Sequence, residues 1–287
     1  MGSHSRRASS RWLTYGLLFL GAAFVAIPFW YMLVTSLKPQ SYIFEIPPKL
    51  WPEQATLDNY ASALGRENFA IYFLNSLFVA IAATGSTMLI SSLLAYAFAR
   101  LKFPGKEILF YLFLLGTMIP PVMLIIPQFI IAKTITAATG GVLRLLDSLL
   151  GLIVVYVTMN LSMQTFLLRG FFEGIPRDLE DAAFIDGASR WMIFRKIILP
   201  LSRPGLAVVA ISTFLYSWEE FPWAHVAIKE TTRRTLPIAI ALYQSAHLTQ
   251  WGQVFAASIV ALVPVVIVFV IFQRYFIRGI ATTGLKG

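Results

Sequence analysis

Six long apolar stretches, at residues 12–36, 70–99, 108–132, 148–168, 204–227 and 254–273, constrain this 287-residue chain more than any other feature. A bilayer core about 30 Å thick is crossed by roughly 20 apolar residues, because an α-helix rises 1.5 Å per residue. Hydrocarbon offers the backbone no water to bond, so each stretch is expected to satisfy its own amides as a helix. The predicted fold class is therefore an all-α integral membrane protein with six transmembrane helices. Composition agrees: the chain is 57% hydrophobic and 13% charged, against about 45–50% and about 25% for a soluble domain. Arg6, Arg7 and Arg11 precede the first stretch as they would a secretory signal. That stretch is too long for a signal core of about 7–15 residues, and it runs into Ser36-Leu37-Lys38-Pro39 without a small-residue cleavage site, so it reads as the first span.

Basic residues set the orientation. With the N-terminus inside, fifteen of the 23 lysines and arginines fall in inside segments and eight in outside ones. The excess predicts both termini in the cytoplasm. The net charge of +9 is then largely a topological signal, and no nucleic-acid partner is expected. The absence of cysteine excludes disulfides, thiolate metal sites and cysteine nucleophiles. The expected organisation is a single transmembrane domain over 1–287. It comprises a cytoplasmic tail at 1–11, a first helix and outside segment at 12–69, a five-helix core at 70–273 and a C-terminal tail at 274–287. The outside part at 37–69, rich in proline, aromatic and polar residues, is expected to cover the outer mouth of the helices.

One inside segment is unlike a plain connector. The stretch "EDAAFIDGASRWMIFRKIILP", 180–200, gathers charge around Gly187 between the fourth and fifth spans. A helix can start at about Pro176 or Arg177, with Asp178, Glu180 and Asp181 favoured in its first turns by the helix dipole. Gly187 suits a left-handed C-terminal stop, and Ser189 can cap a second helix that Pro200 and Pro204 close. Ala182, Ala183 and Ala188 allow close approach of another backbone, and Phe184, Ile185, Trp191, Phe194 and Ile197 supply apolar anchors. These features fit equally a docking element for a protein or an amphipathic pair lying on lipid headgroups.

The spacing resembles the cytoplasmic loop of the membrane-spanning subunits of ABC importers. That family's pattern is Glu-Ala-Ala, three residues, Gly, nine residues, Ile, one residue, Leu-Pro. Here stand Asp181-Ala182-Ala183, then Gly187, then Ile197 and Leu199-Pro200, with Asp181 the one departure and Glu180 beside it able to substitute. "NSLFVA" at 75–80, "AYAFARLKFPGK" at 95–106, "WEEF" at 218–221 and the ending "GIATTGLKG" are similar to the carbohydrate-uptake branch, specifically the six-span second permease of maltose-type systems. In "WEEF", Glu219 takes the place of that branch's usual Asn. The resemblance implies a non-catalytic permease subunit in the inner membrane, with half of a translocation path worked by alternating access. The implied partners are two ABC ATPase subunits, a second homologous permease and an extracytoplasmic solute-binding protein. ATP and Mg would belong to the ATPase, and no cofactor or metal to this chain, which has no G-x-x-x-x-G-K-[ST] phosphate loop. The loop, about 171–203, would be the coupling joint through Glu180, Asp181, Ala182, Ala183, Asp186, Gly187, Ile197, Leu199 and Pro200. The tail residues Gly279, Thr282, Thr283 and Gly284 would reach the ATPase.

Polar residues within apolar spans are expensive and normally face a cavity or a partner. Trp218, Glu219, Glu220 and Trp223 are candidates for a solute path, because aromatic faces and carboxylates suit hydroxyl-rich solutes; the alternative is an interfacial aromatic belt with acids reaching outer water. Asn75, Asn160 and Gln164 are further path candidates, with helix-to-helix hydrogen bonding the competing role. Pro120, Pro121 and Pro127 predict a bend in the third span. An ion-gradient-driven carrier or channel is the alternative function. A membrane hydrolase would need a site built from His225, His247 and the carboxylate pair, and neither histidine has a zinc-type spacing.

Overall fold

The computed structural model describes residues 3–65, 68–244 and 249–283, with side chains described between 12 and 274. The described residues form helices and no strands. The helices are α1 (Ser3–Ser36), α2 (Asp58–Leu64), α3 (Phe69–Arg100), α4 (Lys106–Leu115), α5 (Ile125–Ala138) and α6 (Leu149–Glu173). They continue with α7 (Asp178–Ile185), α8 (Arg190–Leu201), α9 (Arg203–Glu219), α10 (Pro222–Ala227), α11 (Leu236–Ala241) and α12 (Trp251–Thr283). Five described helices are long and apolar enough to cross a membrane, and a sixth if α8 and α9, bent by 76° at Ser202, count as one.

Two predicted spans differ from the structure. The third, 108–132, is not continuous: α4 ends at Leu115, a turn follows, and Pro121–Leu124 forms a 3-10 turn before α5 runs on to Ala138. Pro120 is extended (φ −57°, ψ 130°) and brings no N–H, so the helix cannot pass through it. Pro127 instead sits in the first turn of α5, where a missing N–H costs nothing. The fifth span, 204–227, is also interrupted. Its helix stops at Glu219, Glu220 is extended (φ −65°, ψ 121°), and Pro222 opens the separate helix α10. At 17 residues α9 is about 25 Å long, short of the hydrocarbon thickness.

The chain divides into two compact units, residues 1–69 with 240–262, and 70–239 with 263–287. In the first, α1 leaves its apolar face largely exposed from Trp12 to Phe29. The segment after it is knitted by polar contacts: Asn59 Nδ2 donates to Ser36 O (2.9 Å) and Lys38 O (2.7 Å), and Lys38 Nζ donates to Lys49 O (2.8 Å). Gln40 donates to Thr249 O (3.0 Å) and accepts from Gly252 N (3.3 Å), and Tyr243 OH donates to Ala63 O (2.8 Å). A Cβ at Gly252 would overlap the Asn59 side-chain amide, so this contact requires glycine.

The second unit has two apolar clusters. One joins α3, α5, α6, α10 and α11 around Val79, Leu152, Tyr156, Trp223 and Ile238. The other joins α3, α6, α8 and α9 around Tyr96, Leu168, Phe172, Ile193, Phe194, Ile198 and Val209. Helices α6 and α9 approach closely because Gly205 has no side chain: a Cβ there would meet the Phe171 ring at 2.7 Å. Such small-residue contacts let helix backbones pack where lipid provides no hydrophobic drive.

Candidate functional site

The loop between α6 and α9 is built as its residues dictate. Acids at Asp178, Glu180 and Asp181 occupy the first turn of α7, Gly187 takes φ +79°, and Ser189 Oγ accepts from Met192 N (3.3 Å) to cap α8. A Cβ at Gly187 would meet nothing within 4 Å, so glycine is required there by the backbone angle alone. Helix α8 widens to a π-turn over Phe194–Ile198 and continues through Pro200 to Leu201. It accommodates the proline by changing its hydrogen-bond register just before it.

Burial sorts the motif into two halves. In the first, Asp181, Ala182, Asp186 and Gly187 are exposed, together with Leu179, Phe184 and Ile185, the last 87% exposed. In the second, Ile193, Phe194 and Ile198 are buried in this chain's own core, with Ile197, Leu199, Ala183 and Ala188 packed against it. Phe194 is therefore an internal anchor, tilted against Tyr96 at 5.0 Å between centroids, while Trp191 stays exposed.

Glu180, the acid read as able to substitute for Asp181, turns inward. Its Oε1 lies 2.7 Å from Arg100 Nε, in an ion pair whose side chains are 10% and 4% exposed. The contact is close but not aligned as a hydrogen bond, and neither atom has another partner among the described residues. Arg100 Nη2 donates to Ile175 O (2.7 Å), so the last residue of α3 holds both the start and the first turn of the loop. A cavity of about 120 Å³ beside this pair is lined by Arg177, Asp181, Phe184 and Arg190 among others. Composition and spacing give no signal for the Arg100 contact, because 80 residues separate the partners.

A second, larger cavity of about 250 Å³ lies among α5, α6, α9 and α10. It is lined by Pro121, Val122, Ile125, Gln128, Val155, Met159, Tyr216, Glu219, Glu220, Pro222 and Trp223. The four residues predicted near the fifth span separate here by role. Glu220 accepts from Tyr156 OH (2.6 Å), Trp223 N (2.7 Å) and Ala224 N (3.1 Å). Its carboxylate thus caps α10 and bonds a buried tyrosine on α6, which explains why the helix can break at this point. Glu219 lines the cavity, exposed, with no hydrogen bond or ion pair among the described residues. Trp223 is 3% exposed, and its Nε1 has no acceptor among the described residues. Trp218 lies off the cavity, 4% exposed, stacked on Phe214 (5.8 Å) and edge-on to Phe73 (5.5 Å).

Asn75, Asn160 and Gln164 do not line the cavity. Asn75 Nδ2 donates to Thr232 O (2.9 Å) and Arg234 O (3.0 Å), Asn160 donates to Tyr156 O (2.8 Å) in its own helix, and Gln164 is buried with no donor to Oε1 among the described residues. His225 stacks on Phe221, and His247 is outside the described residues. Gly284 of the tail also lies outside them, and the side chains of Gly279, Thr282 and Thr283 are not among those described.

Asp147 is a structural residue that the sequence reading missed. It takes φ +51°, and Oδ1 accepts from Lys229 N (3.0 Å) and Glu230 N (2.8 Å), while its backbone N–H donates to Ala227 O (2.8 Å). Arg233 donates to its backbone oxygen (2.5 Å) and approaches Oδ2 (3.4 Å). Partial burial works against the charge of Asp147, but the Glu230 and Lys229 amides and the Arg233 guanidinium outweigh it and hold the carboxyl below its ordinary value. The residue staples the entry of α6 to the strand-like connection after α10, and only its place before the Ser148 cap could have hinted at a turn.

Comparison with known proteins places these features in context. The family model of the binding-protein-dependent transport system inner membrane component matches residues 87–282. A sulfoquinovosyl glycerol transport system permease protein of Agrobacterium fabrum is 36% identical over 277 residues, 96% of this chain and 93% of that one. A trehalose/maltose transport system permease protein of Thermococcus litoralis is 36% identical over 279 residues, 94% of this chain and 96% of that one. Among solved structures, a chain of a bacterial ABC transporter involved in import of the acidic polysaccharide alginate superposes with a TM-score of 0.76 at 21% identity, covering 96% of this chain and 99% of that one.

Proposed function

Because the chain belongs to the family of binding-protein-dependent transport system inner membrane components, we propose that it is the permease subunit of an ATP-driven importer for a sugar or sugar-like solute. The relatives' names, which include permeases for trehalose, maltose, diacetylchitobiose and sulfoquinovosyl glycerol, support that solute class. The subunit forms half of a translocation path with a second permease, receives solute from an extracytoplasmic binding protein and couples to two cytoplasmic ATPase subunits, which hold ATP and Mg. The basic-residue excess supports cytoplasmic termini. In this reading the whole chain acts as one transmembrane subunit.

The observation that carries the coupling role is the split of the 180–200 motif. Helix α7 presents Asp181, Ala182 and Ile185 outward while α8 is rooted in the core, so the exposed half can seat in a partner and the buried half can pass its movement to α9. The exposed acids Asp178 and Asp181 lie in the first turn of α7, whereas the exposed basic residues that would suit lipid headgroups, Arg190, Arg195 and Lys196, lie on α8. The tail residues Gly279, Thr282, Thr283 and Gly284 are a second contact with the same ATPase; deleting 280–287 lowers transport in this reading, and an unchanged rate removes that contact from it.

The test is isolation from native membranes in mild detergent, with identification of the copurifying proteins, repeated with Ala182→Glu. Ala182 is the better position than Ala183, because Ala183 packs against the chain's own core. An ATPase and a second permease in the native sample, with the ATPase lost from the variant, is the expected result. A lone chain that still transports without ATP would replace the proposal with a gradient-driven carrier.

A further inference from the structure

The segment that follows α1 folds back along it. Trp30 Nε1 donates to Leu50 O (3.2 Å), and the rings of Trp30 and Trp51 stack with centroids 5.6 Å apart. Trp30 lies six residues before the end of α1, about 9 Å down the axis at 1.5 Å per residue, and about 27 Å from Trp12, where the apolar span begins. Leu50 and Trp51 therefore stand near one boundary of a hydrocarbon core about 30 Å thick. A second aromatic contact, Phe44 edge-on to Trp251 at 6.3 Å, ties the segment to the first residue of α12, the end of another span.

The two sides of this segment differ. Phe44, Ile46, Leu50 and Trp51 are 71%, 91%, 70% and 68% exposed, and exposed apolar side chains gathered in one place mark a contact surface. Glu45, Lys49 and Glu53 instead pair with one another: Lys49 Nζ lies 2.5 Å from Glu45 Oε1 and 2.7 Å from Glu53 Oε1. The charges are answered within the segment, while the large apolar groups are left largely without cover among the described residues. The backbone also suits surroundings poor in water. Pro47, Pro48 and Pro52 bring no N–H. The carbonyls of Lys49 and Leu50 accept from Lys38 Nζ (2.8 Å) and Trp30 Nε1. Irregular backbone is costly beside lipid because its polar groups lose water, and here several of them are absent or bonded.

We propose that residues 44–51 are an interfacial anchor, with Phe44, Ile46, Leu50 and Trp51 seated among the glycerol groups and upper acyl chains of the leaflet at the Ser36 end of α1. That is the outer leaflet in the orientation proposed above. The occupant is phospholipid, on grounds of continuity and depth. The exposed apolar flank of α1 is the side of a spanning helix, and the segment extends that flank at the level where tryptophan favours the membrane interface. A soluble protein docked on the membrane surface would meet the end of the span rather than the level of Trp30. The anchor fixes one end of the first span, and it rests on that span and not on the importer reading.

The chain contains no cysteine, so a single thiol-linked spin label can be placed without background. Ile46→Cys would be made in the full chain, purified with the subunits that accompany it and reconstituted in vesicles of phosphatidylethanolamine and phosphatidylglycerol. At 91% exposure Ile46 can be replaced without disturbing packing, and Leu50→Cys is the second reporter. Collisions of the label with O2, which concentrates in lipid, and with a nickel chelate, which stays in water, would be compared with those of the same label on Gln54→Cys, an exposed position past the anchor. The expected ratio of O2 to nickel access at position 46 is about tenfold that at position 54, because a polar chelate is excluded from apolar surroundings. Trp51→Glu should bring the ratio down toward the value at position 54, because a carboxylate at that depth is costly. Equal ratios at the two positions would overturn the anchor. Low access to both reagents would overturn lipid as the occupant, since it marks cover by a protein subunit. A high ratio that Trp51→Glu leaves unmoved would overturn the part played by the segment, since the label would then insert by itself.

Discussion

Removing the carboxylate of Glu180 should loosen α7 while leaving the membrane helices in place. Glu180 Oε1 and Arg100 Nε are 2.7 Å apart with side chains 10% and 4% exposed, so Glu180→Ala strands a guanidinium that water hardly reaches. Breaking a buried pair by deleting one partner costs about 3–5 kcal/mol. Arg100 keeps its bond to Ile175 O at 2.7 Å, which places the expected cost near the lower end, about 3 kcal/mol. If that cost falls on the docking of α7, its opening equilibrium shifts by roughly 150-fold, since 1.4 kcal/mol is a factor of ten. Amide hydrogen exchange of the peptide spanning 178–188, measured on the full chain in detergent, reads this shift directly. Peptides from α6 and α9 should be unchanged. Replacing both partners, Arg100→Met with Glu180→Leu, removes both charges and should restore part of the protection, because an apolar pair carries no stranded charge while the bond to Ile175 O is lost. Native exchange in Glu180→Ala, or a double variant as labile as the single one, would refute the claim that this pair positions the loop.

Further outcomes follow from the same geometry. Gly187→Pro should uncouple ATP hydrolysis from uptake with normal membrane insertion, because φ +79° is closed to proline while nothing crowds the site; uptake per ATP in reconstituted vesicles measures it. Glu220→Ala should lower thermal stability in detergent by about 2–4 kcal/mol, since it deletes the cap of α10 and the acceptor of Tyr156 OH, whereas Glu219→Gln should leave the melting temperature unchanged. Asp147 has a lowered folded pKa, so its contribution is full above the ordinary value of 3.8 and is lost as pH falls through the lower folded value. Protection of residues 228–234 from exchange should therefore fall in acid in the native chain, and Asp147→Asn should remove that dependence.

Much of the loop was legible in the sequence because its signals are local. Gly187 before Ser189, with acids in the turn ahead, specifies a stop and a start within a few residues, and the structure has both. The positions of the spans were readable for the same reason, since apolar length is a property of contiguous residues. The breaks were read less well. Pro120 and Pro121 announced a bend but not that α4 would end five residues earlier, and the break at Glu220 sits in a run that is apolar on both sides. That break is stabilised by a tyrosine 64 residues away, which no local pattern reveals.

Sequence alone determined that this chain must cross a membrane as helices and that one polar segment between two spans folds as a helix, a glycine turn and a helix, because hydrocarbon thickness and backbone angles act on neighbouring residues. Tertiary structure decided which acids are available. Glu180 and Asp181 are adjacent in sequence, as are Glu219 and Glu220, and each pair is chemically near-identical. In each, one member is committed to a partner inside this chain, Arg100 for Glu180 and the α10 amides with Tyr156 for Glu220, while its neighbour stays exposed. A helix turns about 100° per residue, so neighbouring side chains face different surroundings. Only the packing of distant helices determines which of the two meets a cation or a donor.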